Sequence, residues 1–200
     1  ESFLKFHPYI ALILNVDEAH LDYFRDIDHI YDAFFKYANL VPEDGLVIGC
    51  ADDPLVDRLM RDVDRNTISF GIDTKANWMA HSISYDTAGR PTFVPSYNGQ
   101  DMEPIHLNLP GKHNIYNALA AYAAGYALGV EGHTMSKALS KYNGTHRRFE
   151  IKGTIDGITI IDDYAHHPNE IKATVSTIGN IPHHRAWCIF QPHTYTRTKK

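Results

Sequence analysis

The first 72 residues show strand-type and helix-type patterns in alternation. Apolar runs predict three strands: one covered on both faces at 9–16 ("YIALILNV"), a second at 44–50 ("DGLVIGC") and a third at 67–72 ("TISFGI"). Apolar residues at helical spacing predict two helices between them, at 26–41 and 52–63. Asp26 or Asp28 is placed to cap the first helix. This order of elements predicts right-handed crossovers and a parallel sheet, and hence an α/β fold.

The pattern changes after residue 76. Residues 77–111 alternate between apolar and polar positions and carry turn signals at 88–89 and 98–99, which predicts a small antiparallel meander. The run 112–130 is rich in small residues and amphipathic, and it predicts a helix. A shorter helix is predicted at 134–142.

A second alternating unit is predicted after residue 148. Two strands are expected within 149–163 around an Asp-Gly turn, then a helix at 168–178 and a strand at 185–191. This unit is too short to be a complete domain. The chain also begins without methionine and stops just after a predicted strand, so we expect it to be a piece of a longer polypeptide.

Composition narrows the class of protein. The chain has 200 residues, 44% of them apolar, which is typical of a globular protein. A net charge of -5 and the lack of Lys/Arg clusters argue against nucleic acid or an anionic membrane as the main partner. No run is long enough to span a membrane and no signal peptide is recognisable, so we expect a cytoplasmic protein. Cys50 and Cys188 lie in strand-like apolar runs and are expected to be buried thiols in a reducing compartment.

Polar residues that can bind a ligand or take part in catalysis follow the predicted strands and begin the predicted helices. His20 follows the first strand, and ligands bind at the carboxyl ends of parallel strands, although a turn histidine without a ligand is the commoner case. His113, Asn114 and Asn117 lie in the first turns of helix 112–130, where side chains and free N–H groups can bind a nucleotide. Asparagine at a helix start also occurs without any ligand.

Two arginines stand at the predicted domain boundary. The guanidinium of Arg148 has a geometry suited to phosphate, and a salt bridge to Glu150 is the alternative. Beyond the boundary, "DDYAHHP" (162–168) crowds polar residues into a strand-to-helix turn. Asp163 ends a strand there, where a carboxylate can bind ribose hydroxyls. The alternative is that Asp162 or Asp163 caps the helix that begins near Pro168.

Two further segments carry histidines near the end of a predicted strand. His166 and His167 are adjacent in sequence, so their side chains are expected to diverge, which disfavours a shared zinc ion. The segment "QPHTYTRT" places Arg197 after the predicted strand 185–191, at the sheet edge that Asp163 also occupies in this interpretation. Two polar clusters at one edge favour a binding site.

Five segments together resemble the Mur ligases: "NVDEAHLDYF", "LPGKHNIYNALAA", "HRRFE", "DDYAHHPNEIKAT" and "FQPHTYTRTK" occur in the order and spacing of that family. The resemblance extends from about residue 3 to the end. It implies that residues 1–148 are the later part of a central ATPase domain, without its P-loop portion. Residues 149–200 would then begin a Rossmann-like C-terminal domain.

The resemblance also implies roles for individual residues. His20 would bind Mg²⁺, Arg148 would approach the phosphates of ATP, and His166 would act with it in catalysis. Four residues would bind the nucleotide: His113, Asn114, Asn117 and Asp163. The pocket for the incoming amino acid and the muramyl carboxylate would contain Tyr164, His166 and Arg197.

Within the family, the motifs are most similar to members that join L-alanine to UDP-N-acetylmuramate, which implies ATP and Mg²⁺ as cofactors and an acyl-phosphate intermediate. We expect this chain alone to be inactive. Two alternatives remain: a family member that recycles a whole tripeptide, and a non-catalytic module that binds nucleotide or metal.

Overall fold

A computed structural model of the chain describes residues 2–18 and 23–192. The predictions made for His20 and for Arg197 therefore concern positions outside the described residues.

A mixed sheet forms the centre of the first unit, as the sequence predicts. Its parallel strands are β1 Ile10–Ile13, β2 Leu46–Cys50, β3 Thr67–Gly71 and β4 Trp78–Tyr85, which pair in chain order. The predicted meander at 77–111 consists of β4 together with β5 Pro91–Tyr97, β6 Gln100–Asp101 and β7 Ile105–His106, with β5 antiparallel to β4, β6 and β7. The parallel pairing of β4 with β3 was not predicted. All parallel strands therefore end at one edge of the sheet, and the chain leaves β1 there towards Asn15 and Asp17.

Helices cover both faces of this sheet. Their bounds are α1 Ile27–Ala38, α2 Pro54–Asp62, α3 Lys112–Ala127 and α4 Gly132–Lys141. The pleat of β2 sends Val47 into the apolar core beside α1 and α2, and its neighbour Ile48 into the core beside α3. Both side chains are fully buried, which explains why the strand reads as an unbroken apolar run. Of the two candidate caps for α1, Asp26 is the one used, since it accepts a hydrogen bond from His29 N at 2.8 Å.

The second unit begins as predicted. Strands β8 Glu150–Ile155 and β9 Ile158–Asp162 form an antiparallel hairpin, and α5 Pro168–Gly179 follows the "DDYAHHP" turn. Thr177 of α5 is buried and lies against Gly111 at the start of α3, so the two units are in contact.

The prediction of a strand at 185–191 is wrong. In the part of the chain that the structure describes, this segment pairs with no other strand, and Trp187 and Ile189 are 81% and 99% exposed. An apolar run becomes a strand only where a neighbour supplies its hydrogen bonds. Cys188 is consequently exposed rather than buried, whereas Cys50 is buried as expected.

The helices of the described residues include none with the length and apolar character needed to cross a membrane.

Candidate functional site

A cleft of about 880 Å³ lies where the end of β1, the start of α3 and the turn before α5 meet. Six residues singled out in the sequence line it together: His113, Asn114, Asn117, Arg148, Asp163 and His166. Tyr164 is not among the lining residues. The fold therefore brings most of the described candidate residues to one place, although they come from two units of the chain.

The first turns of α3 present amide groups to the cleft. Asn114 Nδ2 donates to Pro110 O at 2.8 Å, which closes the turn before the helix. Asn117 Nδ2 donates to Asn114 Oδ1 at 3.2 Å, and the Asn117 side chain is exposed. No donor among the described residues bonds Asn117 Oδ1, so this amide can both accept and donate towards a planar ligand such as a purine base.

His113 is held as a neutral imidazole. Its Nε2 lies 3.1 Å from Asn114 Nδ2, which can only donate, so Nε2 is the acceptor. Burial lowers the pKa of His113, and the nearby carboxylate of Asp163 offsets this only in part.

The Asp52 carboxylate anchors α3 at the carboxyl edge of the sheet. It accepts hydrogen bonds from Ile72 N at 2.7 Å and from Tyr116 Oη at 2.8 Å, and also from the amides of Asp73 and Thr74. Burial raises the pKa of Asp52, but these bonds outweigh it and lower the pKa to about 2. The carboxylate is therefore ionised at neutral pH and ties β2, the turn after β3 and α3 together.

The backbone on both sides of Arg148 is in the left-handed region, with φ of 59° at Arg147 and 46° at Phe149. Such a conformation costs roughly 1–3 kcal/mol per non-glycine residue unless the surroundings hold it. Here Tyr164 N donates to Arg147 O at 2.8 Å, and Phe149 N donates to Asp163 Oδ2 at 3.3 Å. The "DDY" part of the turn thus holds the backbone that carries Arg148.

The side chain of Arg148 pairs with Glu170, with Nη1 3.2 Å from Oε1. The alternative pairing with Glu150 is absent, because Glu150 contacts Lys152 Nζ at 2.9 Å and His146 Nδ1 at 2.8 Å. Arg148 therefore lies at the cleft, as its proposed phosphate role requires, and its present counter-ion comes from α5.

The carboxylate of Asp163 organises the turn instead of capping the helix. Oδ1 accepts from Ala165 N at 2.9 Å, and Oδ2 accepts from Thr174 Oγ1 at 2.7 Å as well as from Phe149 N. The N-cap of α5 is His167, so the alternative of a cap by Asp162 or Asp163 is wrong.

His166 and Tyr164 form a contact pair in the turn. His166 Nδ1 lies 2.9 Å from Tyr164 O, and because a carbonyl only accepts, Nδ1 carries the proton. In the tautomer with this proton on Nδ1 the lone pair lies on Nε2, for which the described residues offer no hydrogen-bond partner. The Tyr164 ring packs edge-on against His166 at 5.1 Å and under the Arg147 guanidinium at 4.7 Å.

Glu170 is a site residue that the sequence analysis missed. Its Oε2 accepts from His166 N at 3.1 Å and His167 N at 3.2 Å, which completes a capping box with His167. Burial raises the pKa of Glu170, but these bonds and Arg148 outweigh it, so the pKa is lowered. The sequence "HPNE" has the spacing of a capping box, with Glu170 three residues after the N-cap. It is hard to recognise because Ser, Thr, Asp or Asn usually occupies the N-cap.

Two side chains of the turn reach across to the loop after β1. His167 Nε2 donates to Glu18 O at 2.8 Å, and Asn169 Nδ2 donates to Asp17 Oδ2. Among the described residues, no group of three or more His, Cys, Asp or Glu side chains could hold a metal ion. The loop that these bonds hold leads directly to His20, the predicted Mg²⁺ ligand.

Two protein-family models match the chain over most of its length. The Mur ligase middle domain matches residues 2–125, and the Mur ligase, glutamate ligase domain matches residues 147–200. The chain belongs to the Mur ligase family. The UDP-N-acetylmuramate--L-alanine ligase of Acetivibrio thermocellus is 52% identical over 202 residues, which cover 100% of this chain and 43% of that protein.

Solved structures agree with this assignment. The UDP-N-acetylmuramate-alanine ligase MurC of Thermotoga maritima is 30% identical with a TM-score of 0.74, over 89% of this chain and 40% of that one. A murein peptide ligase of Psychrobacter arcticus is also 30% identical, with a TM-score of 0.66, over 87% of this chain and 35% of that one. This Mur ligase chain thus spans less than half the length of the relatives it matches. The predicted α/β class and family are confirmed, and the boundary at residue 148 stays a prediction.

Proposed function

We propose that this Mur ligase chain is part of a cytoplasmic, ATP-dependent ligase that joins L-alanine to UDP-N-acetylmuramate during peptidoglycan synthesis. The observation that carries the proposal is the cleft at the joint. It combines amide groups from α3, suited to a nucleotide, with Arg148 and His166 from the segment that follows. Relatives of this sequence named for that reaction support the choice of substrates.

In this proposal the nucleotide lies on the α3 side of the cleft. The Asn117 amide and the neutral His113 ring match the mixed donors and acceptors of an adenine edge, and Asn114 holds Asn117 in place. Asp163 lies towards the ribose, on the opposite wall of the cleft. Mg²⁺ bound by His20 would neutralise charge on the phosphates of ATP.

The opposite wall would carry out the ligation. The muramyl carboxylate attacks the γ-phosphate of ATP and ADP leaves, while the guanidinium of Arg148 stabilises the negative charge that develops. The neutral amine of L-alanine then attacks the carbonyl carbon of the acyl phosphate, so that the amide bond forms and inorganic phosphate leaves. His166 has its proton on Nδ1, so its free Nε2 can accept a proton from that amine. Tyr164 and Arg197 would bind the carboxylates of the two acids.

The recycling ligase is the second candidate, because a murein peptide ligase is as identical to this chain as the solved alanine ligase is. ADP formation by the full-length protein, measured with UDP-N-acetylmuramate and either L-alanine or the tripeptide, separates the two. We expect turnover that depends on L-alanine and a much lower kcat/KM with the tripeptide. The reverse preference would establish the recycling reaction, and ADP formation without either acceptor would contradict both. This chain alone should neither hydrolyse ATP nor ligate alanine.

A further inference from the structure

Glu170 divides its two carboxylate oxygens between two tasks. Oε2 accepts from the backbone amides of His166 and His167, at 3.1 and 3.2 Å, and so completes the first turn of α5. Oε1 accepts from Arg148 Nη1 at 3.2 Å. Capping the helix requires only Oε2, so the contact between Oε1 and Arg148 has a different role.

Stability does not explain the contact between Glu170 and Arg148. The side chains are 36% and 52% exposed, and ion pairs as exposed as this contribute little to folding. The contact instead orients the Arg148 side chain. An arginine side chain has several rotatable bonds, and without a partner it samples many directions, whereas a phosphate site needs the guanidinium at one position.

The surroundings of Arg148 are consistent with such orientation. Its backbone is held from both sides by Asp163 and by the amide of Tyr164, through neighbours in left-handed conformation. Two backbone amides hold Oε2 of Glu170, and this fixes the position of Oε1, the oxygen that accepts from Arg148. Backbone and side chain of Arg148 are therefore both held by the turn 163–170, which also carries His166.

We propose that Glu170 is a positioning residue that holds the Arg148 guanidinium at the cleft for phosphoryl transfer. The inference rests on the proposed function of Arg148. It also explains why the turn is crowded. The Glu170 carboxylate caps α5 and at the same time connects Arg148, the proposed phosphate ligand, to His166, the proposed base for the amine of L-alanine.

The substitution E170Q separates the two tasks. The amide oxygen of glutamine can replace Oε2 and keep both backbone bonds, while its NH₂ group faces the guanidinium and cannot pair with it. In the full-length protein we expect kcat to fall about tenfold, the loss typical of one charge-assisted hydrogen bond, with an unchanged melting temperature. KM for L-alanine should stay within about twofold, because the His166 backbone remains bound.

The matched control is E150Q, the same chemical change at a carboxylate of the same joint that does not contact Arg148. It should retain wild-type kcat. In an R148K background, which keeps the charge but loses the planar fork, E170Q should cause little further loss. The inference is overturned by wild-type kcat in E170Q, by an equal loss in the R148K background, or by a rise in KM for L-alanine as large as the fall in kcat.

A measurement independent of turnover keeps the two proposals apart. In full-length protein labelled with ¹⁵N-arginine, the Arg148 guanidinium signal should shift or broaden in E170Q and stay in place in E150Q. If the wild type shows no alanine-dependent turnover, the proposed function fails, and this spectrum still decides the placement of Arg148. An unchanged Arg148 signal in E170Q would refute the positioning role.

Discussion

His113 shows how single residues at the start of α3 combine a structural and a binding role. Its ring is half-buried, accepts a hydrogen bond from Asn114 and faces the carboxylate of Asp163 across the cleft. Burial disfavours the charged ring more than Asp163 favours it, so the folded protein holds His113 neutral. Because Nε2 already accepts from Asn114, the neutral ring has its Nδ1–H left to donate to a base.

The lowered pKa of His113 gives stability a defined pH dependence. In the unfolded chain this histidine takes up a proton near its ordinary pKa of about 6.5, whereas the folded chain resists protonation until a lower pH. Protonation of His113 therefore does not affect the free energy of unfolding above about pH 6.5, and it lowers that free energy as the pH falls below this value. In urea unfolding of this chain between pH 7.5 and 5.5, H113Q should lose less stability than the wild type. H7Q, at an exposed position, should keep the wild-type slope; identical slopes for H113Q and wild type would contradict the buried neutral ring.

At the scale of elements, the contact between α3 and α5 depends on a glycine. Gly111 is the N-cap of α3, with φ of 99°, and a Cβ there would lie 2.5 Å from Thr177 Oγ1 of α5. The position thus requires glycine for its backbone conformation and also for the close approach of the two helices. A larger residue would separate the start of α3 from α5 and so change the cleft between them.

The substitution G111A should therefore destabilise this chain by more than the backbone strain alone, which is about 1–2 kcal/mol. G99A is the matched control, because Gly99 also has a positive φ, 85°, but a Cβ there would meet no atom within 4 Å. Chemical denaturation of both variants separates the cost of the added contacts, with Thr177 of α5 and with the His113 ring, from the cost of the backbone conformation. An equal loss of stability in the two variants would mean that Thr177 moves aside without cost.

The elements also show what sequence patterns can and cannot reveal. The first three strands of the main sheet were predictable from their apolar runs, and β2 is buried on both faces as such a run suggests. The expectation of burial on both faces fails for the edge strand β1, where Leu12 is 36% exposed. The run at 185–191 carries the same pattern, but no pattern within a segment says whether a neighbouring strand is there to pair with it. The role of Glu170 was hidden for another reason, since the capping box begins with an untypical N-cap, His167. The motifs located the candidate residues, and only the fold showed that Arg148 pairs with Glu170 and not with Glu150.

At the scale of the whole molecule, the proposed site lies at a joint between two units of the chain. The turn before α5 reaches the loop after β1 through His167 and Asn169, and α5 packs against the start of α3. The cleft takes one wall from each unit, so neither unit forms it alone. We propose that the nucleotide binds on the α3 side of the cleft and the amino acid on the side of the turn.

Steady-state kinetics of the full-length protein with N117A and H166A, varying ATP and L-alanine in turn, tests this division most directly. Loss of one hydrogen bond should raise KM for ATP up to about tenfold in N117A and leave KM for L-alanine unchanged. H166A should show the reverse pattern, with melting temperatures near wild type in both variants. Equal effects of both substitutions on the two KM values would show that the two walls of the cleft do not bind different substrates.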